Sequence, residues 1–199
     1  IAFDLPAGIH VIVAILAAAV AGALWAAIPG LLKAKLRVHE VIVSIMLNYT
    51  ALYVTNYLIR NVLTDNSDTT ERIAETASLR SAFLSGLTDH SRFHWGIIVA
   101  ILGAIVMWFI LEKTKTGYEL KAVGFNEEAS RYAGMNVSKN IVLSMVISGA
   151  LAGLAGAMEG LGTYEFTSVK SGFTGIGFDG IAVALLGGNT AIGVILAGT

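Results

Sequence analysis

Cysteine is absent, proline occurs only twice, and charged side chains make up just 14% of the 199 residues. Without cysteine there are no disulfides and no thiolate metal sites, although this leaves the compartment open. The net charge is −1, so no basic field points to nucleic acid, and no Lys/Arg run suits a polyanion. The phosphate-cradling pattern G-x-x-x-x-G-K-S/T occurs nowhere, which excludes the chain from being an ATP-hydrolysing subunit itself. H-E-x-x-H, G-x-S-x-G and paired intramembrane aspartates are missing too. His10, His39, His90 and His94 are scattered. The spacing of His90 and His94 suits one helix face, but two histidines without a third ligand make a poor metal site, so no metal is expected. The opening "IAFDLPAG" has no positively charged n-region and is not a secretory signal peptide.

What the chain does have is oil: 55% hydrophobic residues and a mean hydropathy of +0.73. A crossing helix needs about 20 mainly apolar residues. Five stretches qualify: Ile9 to Ile28, Val41 to Ile59, Trp95 to Leu111, Ile141 to Leu161 and Gly180 to Gly198. A soluble bundle would need recurrent polar faces, and they are missing. The expected fold is therefore all-α, a polytopic transmembrane helix bundle. Residues 1–199 read as a single domain, and the ending "IAVALLGGNTAIGVILAGT", with no polar flank after it, suits a fragment. Lys33, Lys35 and Arg37 follow the first stretch, and Lys113, Lys115, Lys121, Arg131 and Lys139 follow the third, so both connections, the second covering residues 112–140, read as cytoplasmic. Residues 60–94 carry four Arg against five acids and the run "TDNSDTTER", and read as an external loop. Leu79, Phe83 and Leu87 recur every four residues there, as in a short amphipathic helix or a folded connecting loop.

Polar and small residues inside the spans mark faces turned from lipid. Ser44, Asn48, Ala51 and Thr55 share one face of the second span; Asn48 there either bonds a neighbouring helix or lines a solute path. Tyr49 and Asn56 share another face and read as structural residues that bond a neighbouring helix. Gly149, Gly153, Gly156 and Gly160 form a stripe on the fourth span that lets another backbone approach closely. Glu159 on the same helix would cost about 2.5 to 3.5 kcal/mol if it faced lipid at the bilayer centre, and less near the interface. It is paired, wet or functional. After it, "GTYEFTSVKSGFTGIGFDG" is glycine-rich and too polar for a span, which suits a broken or re-entrant helix with Phe173, Phe178 and Asp179 at its turn, or a surface loop. Asn189 interrupts the last span and belongs to the same class as Asn48.

One short polar stretch, "GFNEEASRYAGM", interrupts the oil between the third and fourth spans. Asn126 suits an N-cap, Glu127 and Glu128 fall where the helix dipole favours anions, and Gly134 follows Ala133 as a C-cap glycine does. A helix of about two turns is too short to stand alone in water, so it must dock on something. The stretch "EASRYAG" resembles the Glu-Ala-Ala-x-x-x-Gly signature of the cytoplasmic coupling loop of ABC importer permeases, with Ser130 where the second Ala usually stands. The longer "TGYELKAVGFNEEASRYAGMNVSKNIVLSMVISGALAGLAGAMEG" is similar to the branch that carries simple sugars, branched-chain amino acids and nucleosides. "VHEVIVSIMLNYTALYVTNYLI" and "SGFTGIGFDGIAVALLGGN" look most like nucleoside-type permeases that work with a basic-membrane-lipoprotein-like binding protein. The likeness runs from Lys33 onward. The Ile-x-Leu-Pro that follows the loop motif in many importers is missing.

The resemblance implies the central part of a longer permease subunit, truncated at both ends, in a bacterial inner (plasma) membrane and in a homo- or heterodimer of permeases, with separate ATPase subunits that hold ATP and Mg and an external solute-binding lipoprotein. Asn126, Glu127, Glu128, Ala129, Arg131, Tyr132 and Gly134 would make the ATPase contact, with no cofactor in this chain. Asn48, Glu159, Phe173, Phe178, Asp179 and Asn189 are the candidate solute path, and Tyr164, Phe173 and Phe178 are candidates to stack on a base. Different chemistry, a secondary transporter with Glu159 carrying a coupling proton, remains the contrasting reading.

Overall fold

The computed structural model describes residues 7–64, 67–73 and 95–198. Among them every extended element is a helix, and one isolated antiparallel bridge joins Thr69 to Ser168. In chain order these are α1 (Ala7–Leu36), α2 (Glu40–Leu58) with a π-helical turn (Ile59–Leu63), α3 (Gly96–Lys113), α4 (Lys115–Phe125), α5 (Glu127–Tyr132), α6 (Val137–Met158) with a second π-helical turn (Glu159–Tyr164), α7 (Ile176–Leu186) and α8 (Ala191–Ala197). Four helical stretches are long and apolar enough to cross a membrane: Gly8–Leu36, Glu40–Leu63, Gly96–Lys113 and Val137–Tyr164. The bundle is thus all-helical and polytopic. Leu79, Phe83, Leu87, His90 and His94 lie outside the described residues.

The fifth expected span, Gly180 to Gly198, is not one helix. α7 and α8 are bent by 117° at Gly187–Thr190 and count as one span only as a broken pair. Of the residues expected at a break ahead of that span, Phe173 lies in the non-helical stretch before α7, whereas Phe178 and Asp179 lie in the first turn of α7. The corner's chemistry explains its position. Gly188 and Asn189 both take left-handed backbone, at φ +63° and +56°, a conformation that glycine and asparagine tolerate best. The Thr190 hydroxyl donates to the Gly187 carbonyl at 3.0 Å and accepts from the Gly193 amide at 3.1 Å. A Cβ on Gly193 would lie 2.0 Å from the Gly187 carbonyl oxygen, so the two helices can close only on glycine. Thr114 repeats the device where α3 meets α4: its hydroxyl donates to the Ile110 carbonyl at 2.6 Å and accepts from the Gly117 amide at 3.1 Å.

The first span is also longer than the apolar run suggested. α1 carries Lys33 and Lys35 in its last turns, and Lys33 reaches across to Glu40 at 2.9 Å, pinning the start of α2. Arg37, at φ +54°, turns the chain between them.

The frame of the bundle is the α1–α6 pair. A Cβ on Gly149 would lie 2.3 Å from the Ala26 Cβ and 2.4 Å from the Gly22 carbonyl oxygen; one on Gly153 would lie 2.2 Å from the Ala18 carbonyl oxygen. One on Gly22 would meet the Gly149 carbonyl oxygen at 2.2 Å. Backbones this close let dispersion replace the hydrophobic drive that lipid does not supply between helices. Gly156 and Gly160 play no part in this seam, since a Cβ on either has nothing within 4 Å. The facing half of the seam, Ala18, Gly22, Ala26 and Gly30, was legible at four-residue spacing but not singled out.

Candidate functional site at the two ends of the bundle

At one end stands α5, supported by its own backbone. The Asn126 side chain accepts from the Ala129 amide at 3.0 Å and caps the N-terminus. At the other terminus the Met135 amide donates to the Ser130 carbonyl and the Gly134 amide to the Arg131 carbonyl, both at 3.0 Å, with Gly134 at φ +80°. This paired C-terminal closure needs a left-handed residue at the position Gly134 occupies. Ser130, at the position where the resembled signature has Ala, is buried. Asn136 caps α6 through the Lys139 amide at 3.0 Å, and the buried Asn140 donates to Glu119 at 3.3 Å, tying α4 to α6. Glu112 pairs with Lys121 across the α3–α4 corner.

The rest of α5 faces outward. Glu127, Glu128, Ala129, Arg131 and Tyr132 are exposed, with Arg131 and Glu128 3.7 Å apart. Phe125 is 90% exposed and Tyr132 92%. An aromatic just before an N-cap commonly packs on the fourth helical residue. Here that residue is Ser130, which is turned inward, so Phe125 has no staple partner. Sequence reasoning passed over Phe125, although the pattern aromatic-Asn-x-x-x-Ser carried the signal.

At the opposite end, about 33 Å away along α6, the chain leaves the second π-turn and runs as a non-helical strap from Glu165 to Gly175. Both of these residues have left-handed backbone, at φ +60° and +79°. The strap is tied to residues 67–73: the Thr70 amide donates to the Thr167 carbonyl at 2.8 Å, the Val169 amide to the Asp68 carbonyl at 2.9 Å and the Ile73 amide to the Glu165 carbonyl at 2.8 Å. Asp68 is held in turn by Arg60 at 2.8 Å. Facing α2, the Phe173 ring meets Tyr49 edge to face at 5.0 Å.

The structure brings some solute-path candidates together and leaves others apart. Asn48 and Phe173 line one cavity of about 350 Å³ with Ala51 and Thr55 of the same α2 face. Asn189 lies elsewhere, in an apolar cavity of about 730 Å³ between α3, α6 and α8, where its left-handed backbone accounts for its presence. Phe178 and Asp179 are exposed on α7, and neither lines the Asn48 cavity. Glu159 is half-buried at the first position of the π-turn.

The chain is thus a polytopic helical membrane protein, with a capped polar peg at one end and irregular backbone at the other. Residues 3–199 match the family described as branched-chain amino acid transport system / permease component, and the chain belongs to it. It is 66% identical over 98% of its length to the guanosine ABC transporter permease protein NupP of Bacillus subtilis, covering 56% of that protein. It is 42% identical over 98% of its length to the nucleoside ABC transporter permease protein NupB of Lactococcus lactis, covering 55% of it. It is 36% identical over 92% of its length to the glucose ABC transporter permease protein TsgB13 of Haloferax volcanii, covering 50% of it. The chain therefore spans about half the length of the curated relatives it matches. No solved structure matches it.

Proposed function

We propose that the chain supplies part of the membrane path of an ATP-driven nucleoside importer. α5 is the point where a separate ATPase subunit, holding ATP and magnesium, engages the permease. A second permease subunit completes the path, and an external solute-binding lipoprotein delivers the cargo. The observation that carries this reading is the exposure of Phe125 and Tyr132 beside a helix held rigid by its own caps. Interface energies concentrate on a few aromatic and Arg anchors that fill pockets on a partner, and a rigid peg loses little entropy when it docks. Glu127, Glu128 and Arg131 rim the same surface and suit orientation rather than affinity.

The nucleoside assignment rests on the likeness to NupP and NupB and on the aromatic edge that Tyr49 and Phe173 offer beside Asn48. The glucose relative, and a ribose import permease protein of Escherichia coli at 31% identity, make simple sugars the competing cargo. Branched-chain amino acids, named in the family description, are a further one. Half-burial of Glu159 favours one reading of different chemistry, a proton-coupled transporter. Reconstituting the full-length permease with its ATPase in proteoliposomes separates all of these. The proposal expects labelled guanosine uptake that requires internal or external ATP at the ATPase face, is outcompeted by other nucleosides and not by ribose or leucine, and survives Glu159→Gln. Uptake driven by a proton gradient without ATP, and abolished by Glu159→Gln, would replace it.

A further inference from the structure

Asn56 was read from the sequence as bonding a neighbouring helix, yet its carboxamide bonds the non-helical strap, and does so twice. Its Nδ2 donates to the Lys170 carbonyl at 2.8 Å, and its Oδ1 accepts from the Lys170 amide at 3.0 Å. One side chain thus satisfies both backbone groups of a single strap residue, as a neighbouring strand would. The two bonds join positions 114 apart in sequence.

The surroundings suit a movable element rather than a fixed plug. The strap is bounded by left-handed residues, Glu165 and Gly175, and leaves α6 through a π-turn. A left-handed non-glycine residue and a π-turn both mark backbone under local strain, a feature concentrated at functional and switching positions. α2 passes into its own π-turn just beyond Asn56, at Ile59–Leu63. Cavities lie on the two sides of the strap. One, about 550 Å³, is lined by Tyr53, Arg60 and Asp68; the other, about 350 Å³, by Asn48 and Thr55. Both are walled by Leu52, Asn56, Lys170, Gly172 and Phe173, so the partition between them is the place where Asn56 grips Lys170.

We propose that Asn56 is a latch: its double bond to the Lys170 backbone holds the Glu165–Gly175 strap against α2, and its release merges the two cavities into one opening toward the Asn48 face. The gating role rests on the importer reading above, whereas the latch itself does not. On its Asn48 side the merged space offers a solute the neutral polar groups of Asn48, Thr55 and Ser168 beside the Phe173 ring, while the charged Arg60–Asp68 pair lines the other side and Lys170 lies between them.

Hydrogen–deuterium exchange on the full-length permease, assembled with its ATPase in lipid nanodiscs, reads the latch directly because Asn56 covers the Lys170 amide. Asn56→Ala is expected to speed exchange of strap peptides about tenfold. Asn56→Asp keeps the acceptor, loses the donor and sets a carboxylate against a carbonyl; it is expected to loosen the strap as well, and it keeps the test decisive if the alanine variant folds poorly. Asn61→Ala removes a carboxamide that bonds Tyr57 one turn back on its own helix, and should leave strap exchange unchanged. Reconstituted in proteoliposomes instead, where uptake can be read, both Asn56 variants should hydrolyse more ATP per solute moved. Unchanged strap exchange in both, or faster exchange with unchanged ATP use per solute, overturns the proposal. Absence of nucleoside uptake by the wild-type assembly would defeat the importer reading, and the exchange comparison would still decide the latch.

Discussion

The two ends of the bundle solve the same problem, polar backbone next to a membrane, in opposite ways. α5 is closed by bonds between near neighbours: Asn126 to Ala129, Gly134 to Arg131, Met135 to Ser130. The strap is closed by residues far away in sequence, Asn56 to Lys170 and Thr70 to Thr167. A locally closed element stays rigid whatever happens around it, and so suits a peg that must transmit force. An element closed at a distance can be let go by moving one partner, and so suits a cover.

That contrast yields a graded set of tests. The largest effect belongs to the frame that carries both ends. Gly149→Leu drives side-chain atoms into the Ala26 Cβ and the Gly22 carbonyl, and should abolish a monodisperse, thermally stable full-length protein in detergent, because overpacking of about 1–3 kcal/mol is common even where only side chains are displaced. Gly156→Leu, with open space in place of a neighbour, should leave the melting temperature within about 0.5 kcal/mol equivalent of wild type. Equal damage from both would show that the seam is not where the structure places it.

Next come the aromatic anchors of the peg. Phe125→Ala and Tyr132→Ala should each weaken ATPase binding by about 2 kcal/mol or more, some 30-fold, without changing the melting temperature of the permease alone, since neither ring is packed against the chain. Titration of purified ATPase against the nanodisc permease measures it. A smaller effect is expected at the cap: Asn126→Ala should cost about 1 kcal/mol and appear as faster amide exchange confined to α5. Were that change to spread to the strap, local closure would not be what distinguishes the two ends. The smallest is Asp68→Asn. It weakens an exposed ion pair with Arg60 worth less than about 1 kcal/mol, so strap exchange should shift far less than with Asn56→Ala.

The same distinction decides what was legible in the sequence. The Asn126 cap, the Gly134 closure and the Gly149–Gly153 stripe were readable because each is written within a turn or two of chain. The family resemblance carried the rest of the peg's meaning. The α7–α8 corner was missed because Asn189 was taken for a polar residue inside a span, although Gly-Gly-Asn-Thr is a turn signal. Asn56 was set aside because nothing near it in sequence reveals Lys170 as its partner. Phe125 was missed because an apolar residue in a chain this apolar draws no notice until its solvent exposure is known.

What touches α5 in the assembled transporter decides its role. A cryo-electron-microscopy structure of the full-length permease bound to its ATPase should show α5 seated in a groove of that subunit, with the Phe125 and Tyr132 rings buried there and the Asn126 cap intact. A resolved assembly in which the ATPase contacts the permease elsewhere, and both rings still face water, would contradict it.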